Sequence, residues 1–155
     1  MAEEIKDISL STKKSYRIDG DNSRIIYLDT SDMNVLVRLE ETYPDIQKLA
    51  LEAGDRILAT KDTDSEESSL NDITEVLKDI DKKMRVKLDY IFASEISDIC
   101  APTGNMYDPV NGEFRFEHII EVLSGLYADN ITLEFKKMQD KVKKHTAKYT
   151  NRRKK

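Results

Sequence analysis

The chain has 155 residues, enough for one domain with a buried core. Hydrophobic residues make up 39% of it and charged residues 35%, with no Trp and 5 Gly, a composition typical of a helical, interaction-prone protein. No apolar run approaches the roughly 18 residues of a transmembrane helix, and the acidic start lacks an apolar signal core, so neither a membrane span nor secretion is expected. A single Cys excludes an internal disulfide and fits a reducing cytoplasm.

The net charge of −5 is distributed unevenly along the chain. Residues 136–155 contain 10 Lys or Arg and one acid, so the other 135 residues hold 15 bases and 29 acids, a net charge of −14. A basic end on an acidic body is expected to attract acidic surfaces, including those of other copies of the chain.

Residues 13–29 predict a β-hairpin. Tyr16 and Ile18 alternate with a polar residue, and residues 25–28 are β-branched, aromatic or apolar. Residues 19–22, Asp-Gly-Asp-Asn, supply the turn between the two strands, because these residue types tolerate a positive φ.

The segment after the hairpin predicts a helix that breaks in its middle. Residues 30–32, Thr-Ser-Asp, favour a helix start in which the hydroxyl of Thr or Ser caps free N–H groups. Pro44 lacks a backbone N–H, so we expect a kink or break there and a second helix from about 45 to 59. Residues 1–60 are therefore interpreted as a hairpin plus a kinked helix, and residues 61–69, which contain no apolar residue, as an acidic linker.

Two long apolar stripes with steps of three or four residues predict two long helices. The first stripe consists of Leu70, Ile73, Leu77, Ile80, Met84, Leu88, Phe92, Ile96 and Ile99. The second consists of Phe116, Ile120, Leu123, Tyr127, Ile131, Phe135, Met138 and Val142. Residues 70–150 are interpreted as a helical hairpin with a basic tail to residue 155. The predicted fold class is mainly α, with an N-terminal β-hairpin followed by a helical bundle built on two long antiparallel helices, all in one compact domain.

Large or adaptable side chains on the two stripes are candidates for contacts with a client protein or with other copies. They are Leu77, Met84, Leu88, Tyr127, Phe135 and Met138. Because a free chain must bury most of such a surface, the same residues are also the first candidates for the core. Candidates for charged contacts of the tail are Lys143, Lys144, Lys148, Arg152 and Arg153.

The sequence shows little that predicts catalysis. Residues 19–30 match a calcium loop at the first three alternating positions, but Arg24 replaces the required Gly and Thr30 the final Glu, which favours a plain turn. No motif of a known thiol enzyme surrounds Cys100, and the two His lie 27 residues apart without a Cys or carboxylate at ligand spacing. We expect no catalytic residues, no metal and no cofactor. The acidic body and the absence of a recognition motif also argue against nucleic acid as the partner.

Several patterned segments resemble a known family. They are Tyr16–Asp21, Ser23–Leu28, Asp29–Asn34 running to Arg38-Leu39, Asp89–Phe92, Phe116-Glu117 after a loop with Gly and Pro, and Lys148–Thr150. Together they look like the small tail assembly chaperones of long-tailed phages that infect Gram-positive bacteria. Those proteins typically begin with such a hairpin and run directly into a helix. The resemblance spans most of residues 14–150.

The resemblance implies a function without catalysis. Such chaperones bind the tape measure protein, a long, helical and apolar phage protein, in the cytoplasm of the infected bacterium, and keep it soluble until the tail tube polymerises. A longer form made by ribosomal frameshifting often recruits the tail tube protein, and this chain would be the short form. A homo-oligomer is expected. Two alternatives stay open: a structural tail completion or connector protein of the virion, and a small DNA-associated regulator that uses the basic tail.

Overall fold

The computed structural model describes residues 3–60 and 66–153, and only the backbone at 66–68, 145 and 147–153. In chain order, the elements of these ranges are β1 (Lys14–Arg17), β2 (Ile25–Leu28), α1 (Asn34–Thr60), α2 (Glu66–Phe92), α3 (Ser97–Cys100), β3 (Pro109–Val110), β4 (Glu113–Phe114) and α4 (Arg115–Arg153). The predicted fold class is confirmed, since a two-stranded antiparallel hairpin precedes long helices that make up most of the chain.

The N-terminal hairpin packs one face on the helices. Strands β1 and β2 pair antiparallel, with Tyr16 opposite Ile26. Ile26 and Leu28 are buried while Tyr27 between them is exposed, the alternation expected of a strand with one covered face. The turn is closed by Asp21, whose Oδ1 accepts hydrogen bonds from the backbone N–H of Ser23 at 2.9 Å and from its hydroxyl at 2.7 Å. The predicted turn therefore uses the Asp21 carboxylate for its own closure.

Helix α1 is continuous, so the predicted break at Pro44 and the separate helix from 45 to 59 are wrong. Buried residues on both sides of the proline, among them Thr42 and Ile46, pack both halves of the helix against the core. The exposed proline therefore removes one backbone hydrogen bond without ending the helix. At the start, it is the carboxylate of Asp32 that accepts the N–H of Asn34, at 3.0 Å, and not a hydroxyl of Thr30 or Ser31.

Helix α2 differs from the prediction at both ends. It begins at Glu66, so residues 66–69 of the predicted acidic linker are helical, while residues 61–65 lie outside the described residues. It ends at Phe92 and not at Ile99, because Ala93 adopts a left-handed φ of 50°, which a helix cannot continue.

The carboxylate of Asp89 organises the chain reversal after α2. It accepts hydrogen bonds from the backbone N–H groups of Ile96 at 3.0 Å and Ser97 at 2.8 Å, and from the Ser97 hydroxyl at 3.0 Å. These bonds start the short helix α3. Phe92 and Ile96 are both buried across the turn, so the apolar spacing continues although the helix does not.

Helices α1 and α2 pack side by side in opposite directions. Arg38 near the start of α1 donates to the carbonyl of Ile91 near the end of α2, at 2.9 Å. Near the other end, Arg56 of α1 lies 3.5 Å from the carboxylate of Asp79 in α2. The core between the helices and the hairpin is apolar, and its largest fully buried side chains are Tyr127, Ile26, Leu28, Ile46, Met84, Leu88, Ile91, Ile96 and Met106.

Arginine side chains fix the loop that follows α3. Arg24 of the hairpin donates to the carbonyls of Ile99 and Cys100, each at 2.9 Å. Arg85 of α2 donates to two carboxylates and three carbonyls, those of Asp81, Asp98, Ser97, Ala101 and Gly104. The Ser97 carbonyl also accepts the backbone N–H of Ala101. For the carbonyls of Ile99, Cys100, Ala101 and Gly104, the arginines act in place of backbone donors.

No helix within residues 3–60 or 66–153 combines the length and the hydropathy that crossing a membrane requires.

Candidate binding surfaces

The second half of α4 leaves the body of the protein. Its first turns are anchored by buried side chains from Phe116 to Tyr127, and Asn130 makes a further contact through its side-chain amide, which donates to the carbonyl of Thr30 at 3.2 Å. Every side chain from 132 to 144 is exposed. The helix nevertheless continues to Arg153, about 35 Å beyond Asn130 at ~1.5 Å per residue.

We call residues 131–144 the α4 extension. Three large apolar side chains lie on one face of it with steps of three and four: Phe135, Met138 and Val142 are 45%, 51% and 64% exposed. Leu133, 52% exposed, lies on the opposite face of the same helix. Because an amphipathic helix ordinarily buries its apolar face, this exposed face is a candidate contact surface.

The other faces of the α4 extension are mostly basic. Its lysines are Lys136, Lys137, Lys141, Lys143 and Lys144, against the two acids Glu134 and Asp140. Glu134 forms an ion pair with Lys137 one turn later, at 3.5 Å. The extension is thus a basic amphipathic helix.

The structure separates the six predicted contact residues into three groups. Met84, Leu88 and Tyr127 are fully buried, so they form the core and have no surface to offer a partner. Phe135 and Met138 are exposed on the α4 extension. The sixth residue, Leu77, is half-buried on α2.

The predicted charged contacts fall at the end of the same helix. Lys143 and Lys144 are exposed on the α4 extension. The side chains of Lys148, Arg152 and Arg153 lie outside the described residues, although their backbone continues the helix.

A second surface, which the sequence did not predict, runs along α1. Two adjoining depressions of about 570 and 550 Å³ share Tyr43 and Glu117 in their walls, and we call them together the α1 groove. Apolar side chains from three separate segments line it, among them Leu39, Pro44, Leu51, Phe114 and Ile120.

Aromatic stacking shapes one wall of the α1 groove. The ring of Phe114 stacks on Tyr107 with 4.3 Å between the ring centroids, and on Phe116 with 5.5 Å. The Tyr107 hydroxyl donates to the carbonyl of Ala50 in α1 at 2.7 Å, which ties this wall to the opposite one. Burial, and secondarily the nearby charge of Asp55, raise the pKa of Tyr107, so the hydroxyl stays protonated and keeps donating.

The rim of the α1 groove is acidic. Glu40, Asp55, Glu113, Glu117 and Glu121 line its walls. Glu113 lies 2.8 Å from the ring Nδ1 of His118, whereas within the described part of the chain the other four carboxylates form no ion pair. The only hint in the sequence was apolar residues on the outer side of α1, such as Leu51 and Leu58, which are 71% and 61% exposed.

Cys100 and a cluster around His118 are two further groups with possible chemistry. Burial raises the pKa of the Cys100 thiol to about 11, so the thiol is protonated and weakly nucleophilic at neutral pH. Glu113, His118 and Glu121 place ligand atoms within 4.8 Å of one another, but two of the three are exposed, and exposed acidic groups often cluster in this way without an ion.

No protein-family model, curated protein or solved structure matches the chain. The likeness to phage tail assembly chaperones thus rests on the sequence segments given above and stays a prediction.

Proposed function

We propose that the chain is a non-catalytic binding protein, a phage tail assembly chaperone that holds helical segments of the tape measure protein through its α4 extension. The observation that carries this proposal is the exposed apolar face of Phe135, Met138 and Val142 on a helix that leaves the body of the protein. The family resemblance supplies the identity of the client.

An apolar face of this kind fits a helical client. Side chains at steps of three and four interdigitate with a second helix that carries the same spacing, and burial of the apolar atoms drives the association. The lysines on the remaining faces keep the complex hydrated, because they stay in solvent when the apolar face is covered. A chaperone that must later release its client needs a contact of limited area, and one face of a single helix provides it.

The family resemblance also implies where the chain acts and with which other proteins. The chain acts as the short form in the cytoplasm of the infected bacterium. A longer frameshifted form brings in the tail tube protein, which displaces the chaperone as the tube grows. No metal or cofactor takes part.

Co-expression with the tape measure protein of the same phage tests the proposal. The wild-type chain is expected to keep the tape measure protein in the soluble fraction and to co-purify with it. The double variant Phe135→Ser/Met138→Ser is expected to lose both effects. Leu133→Ser is the matched control, because Leu133 has a similar exposure on the opposite face of the same helix. A soluble client with the double variant, or an insoluble one with the wild type, would contradict the proposal.

Two assays separate the chaperone from the alternatives. A structural tail protein is retained in purified virions, whereas a chaperone is absent from them. A DNA-associated regulator binds duplex DNA through the lysines of the α4 extension and the basic residues after it, with an affinity that falls steeply as salt rises. Binding of that kind, abolished by removal of residues 143–155, would favour the regulator.

A further inference from the structure

We propose that the α1 groove receives the α4 extension of a second copy of the chain. This inference uses the apolar face on which the proposed function also rests, but it concerns the protein without any client. It assigns the acidic groove an occupant and gives self-association a defined geometry.

The apolar surfaces of the α1 groove and the α4 extension match in length. The α1 groove offers apolar side chains along about six turns of α1, from Leu36 to Leu58. The α4 extension offers Phe135, Met138 and Val142 along two turns of a helix. A single helix face therefore fits within the length of the groove, in the manner of an amphipathic helix bound in a hydrophobic groove.

The charges of the α1 groove and the α4 extension are complementary. Glu40, Asp55, Glu117 and Glu121 stand at the rim of the groove without ion-pair partners among the described residues. The α4 extension carries five lysines and two acids. An amphipathic helix with lysines beside its apolar face would place positive charge against these carboxylates when the face enters the groove.

The α4 extension of the same molecule cannot occupy its own α1 groove. Helix α4 begins beside the groove, where Phe116 lines one wall, and it is uninterrupted to Arg153. Phe135 therefore lies about 28 Å along the helix axis from Phe116, at ~1.5 Å per residue, within the stretch 132–144 in which every side chain is exposed. Only the extension of another molecule reaches the groove without breaking the helix.

The contact joins two different surfaces, so it is heterologous. Each copy keeps a free groove at one end and a free extension at the other, and repetition gives a closed ring or an open filament. Because the client and the groove compete for the same apolar face, binding of a client is expected to dissociate these assemblies.

Sedimentation of the full chain without client tests the inference. The wild type is expected to associate in low salt and to dissociate at about 0.5 M salt, which screens the rim charges. Glu40→Lys/Glu121→Lys, which reverses two exposed rim charges, is expected to weaken association by about tenfold or more. Glu75→Lys, an exposed acid on α2, is the matched control and is expected to associate nearly like the wild type.

Mixing two variants tests the geometry. The groove variant Glu40→Lys/Glu121→Lys keeps a working extension, and Phe135→Ser/Met138→Ser keeps a working groove. Each alone is expected to be monomeric, and the mixture is expected to form heterodimers that grow no further. A contact between two extensions would instead leave the groove variant associated on its own.

Three results would overturn the inference: a wild type that is monomeric in low salt up to about 100 µM, a groove variant that associates like the wild type, or a mixture that stays monomeric. A helical circular-dichroism spectrum and a cooperative melt establish that each variant is folded. If the groove variant does not fold, the salt dependence and the extension variant decide. None of these assays contains a client, so a monomeric wild type that still solubilises the tape measure protein refutes this inference and leaves the proposed function intact.

Discussion

The same substitution at two methionines distinguishes the core from the free surface. Met84 and Met138 both lie on predicted apolar stripes, but Met84 is fully buried between the helices and Met138 is 51% exposed on the α4 extension. We expect Met84→Ala to destabilise the protein strongly and Met138→Ala to leave its stability almost unchanged.

The burial of each side chain sets the size of the effect. Truncation of a fully buried methionine loses its transfer free energy and leaves a cavity, which together cost about 2–5 kcal/mol. For a chain of this length each 1 kcal/mol shifts the melting temperature by about 2–4 °C, so a loss of about 3 kcal/mol corresponds to roughly 6–12 °C. At Met138 no cavity forms and alanine is a good helix former, so the expected change is within about 0.5 kcal/mol.

Thermal and urea unfolding followed by circular dichroism measure both variants. The protein concentration is varied, because self-association would otherwise stabilise the wild type through Met138. At the dilute limit, a loss above about 1.5 kcal/mol for Met138→Ala would mean that the extension packs on the body. A loss below about 1 kcal/mol for Met84→Ala would contradict the described core.

Three further predictions concern single side chains. Arg85→Ala should cost about 3 kcal/mol in urea unfolding, because it leaves the carbonyls of Ala101 and Gly104 without a donor, whereas Lys83→Ala on the same helix should cost less than about 0.5 kcal/mol; equal losses would show that Arg85 does not hold the loop. Burial raises the pKa of the Cys100 thiol from 9.0 to about 11, so alkylation of this thiol at pH 8 should be much slower in the folded protein than in urea. The stability that this shift contributes is fully present below pH 9 and should be lost between about pH 9 and 11, because the thiol ionises first in the unfolded chain. The hydroxyl of Tyr127 is buried without a hydrogen-bond partner among the described residues, so Tyr127→Phe should be neutral or stabilise by about 1 kcal/mol; a clear loss in the melt would reveal a missing partner.

The hairpin and the long helices could be predicted because their signals are local. Strand β2 is rich in β-branched and aromatic residues, and Asp-Gly-Asp-Asn before it is specific for a turn. The spacing of three and four residues in α2 and α4 reports one face of a helix directly.

The ends and interruptions of helices depended on contacts that no local pattern reveals. The turn at Ala93 escaped prediction because it keeps Phe92 and Ile96 in the core and so preserves the helical spacing across a break. The break expected at Pro44 is absent, because the packing of buried residues on both sides of the proline outweighs one missing backbone hydrogen bond.

The candidate site could be predicted only in part. Phe135 and Met138 were named from their spacing, but so were Met84, Leu88 and Tyr127, and only tertiary packing separates the exposed pair from the buried three. The α1 groove was missed because it joins α1, the loop before α4 and the first turns of α4, and no sequence pattern shows that these segments meet.

Hydrogen exchange on a complex with the tape measure protein tests the central claim most directly. In the free chain at low concentration, backbone amides of residues 131–144 are expected to exchange faster than those of α4 before residue 130, because every side chain from 132 to 144 is exposed. In the co-purified complex, amide exchange in residues 131–144 is expected to slow markedly. A complex in which this segment exchanges as it does in the free chain, with protection elsewhere, would contradict the claim that the α4 extension holds the client.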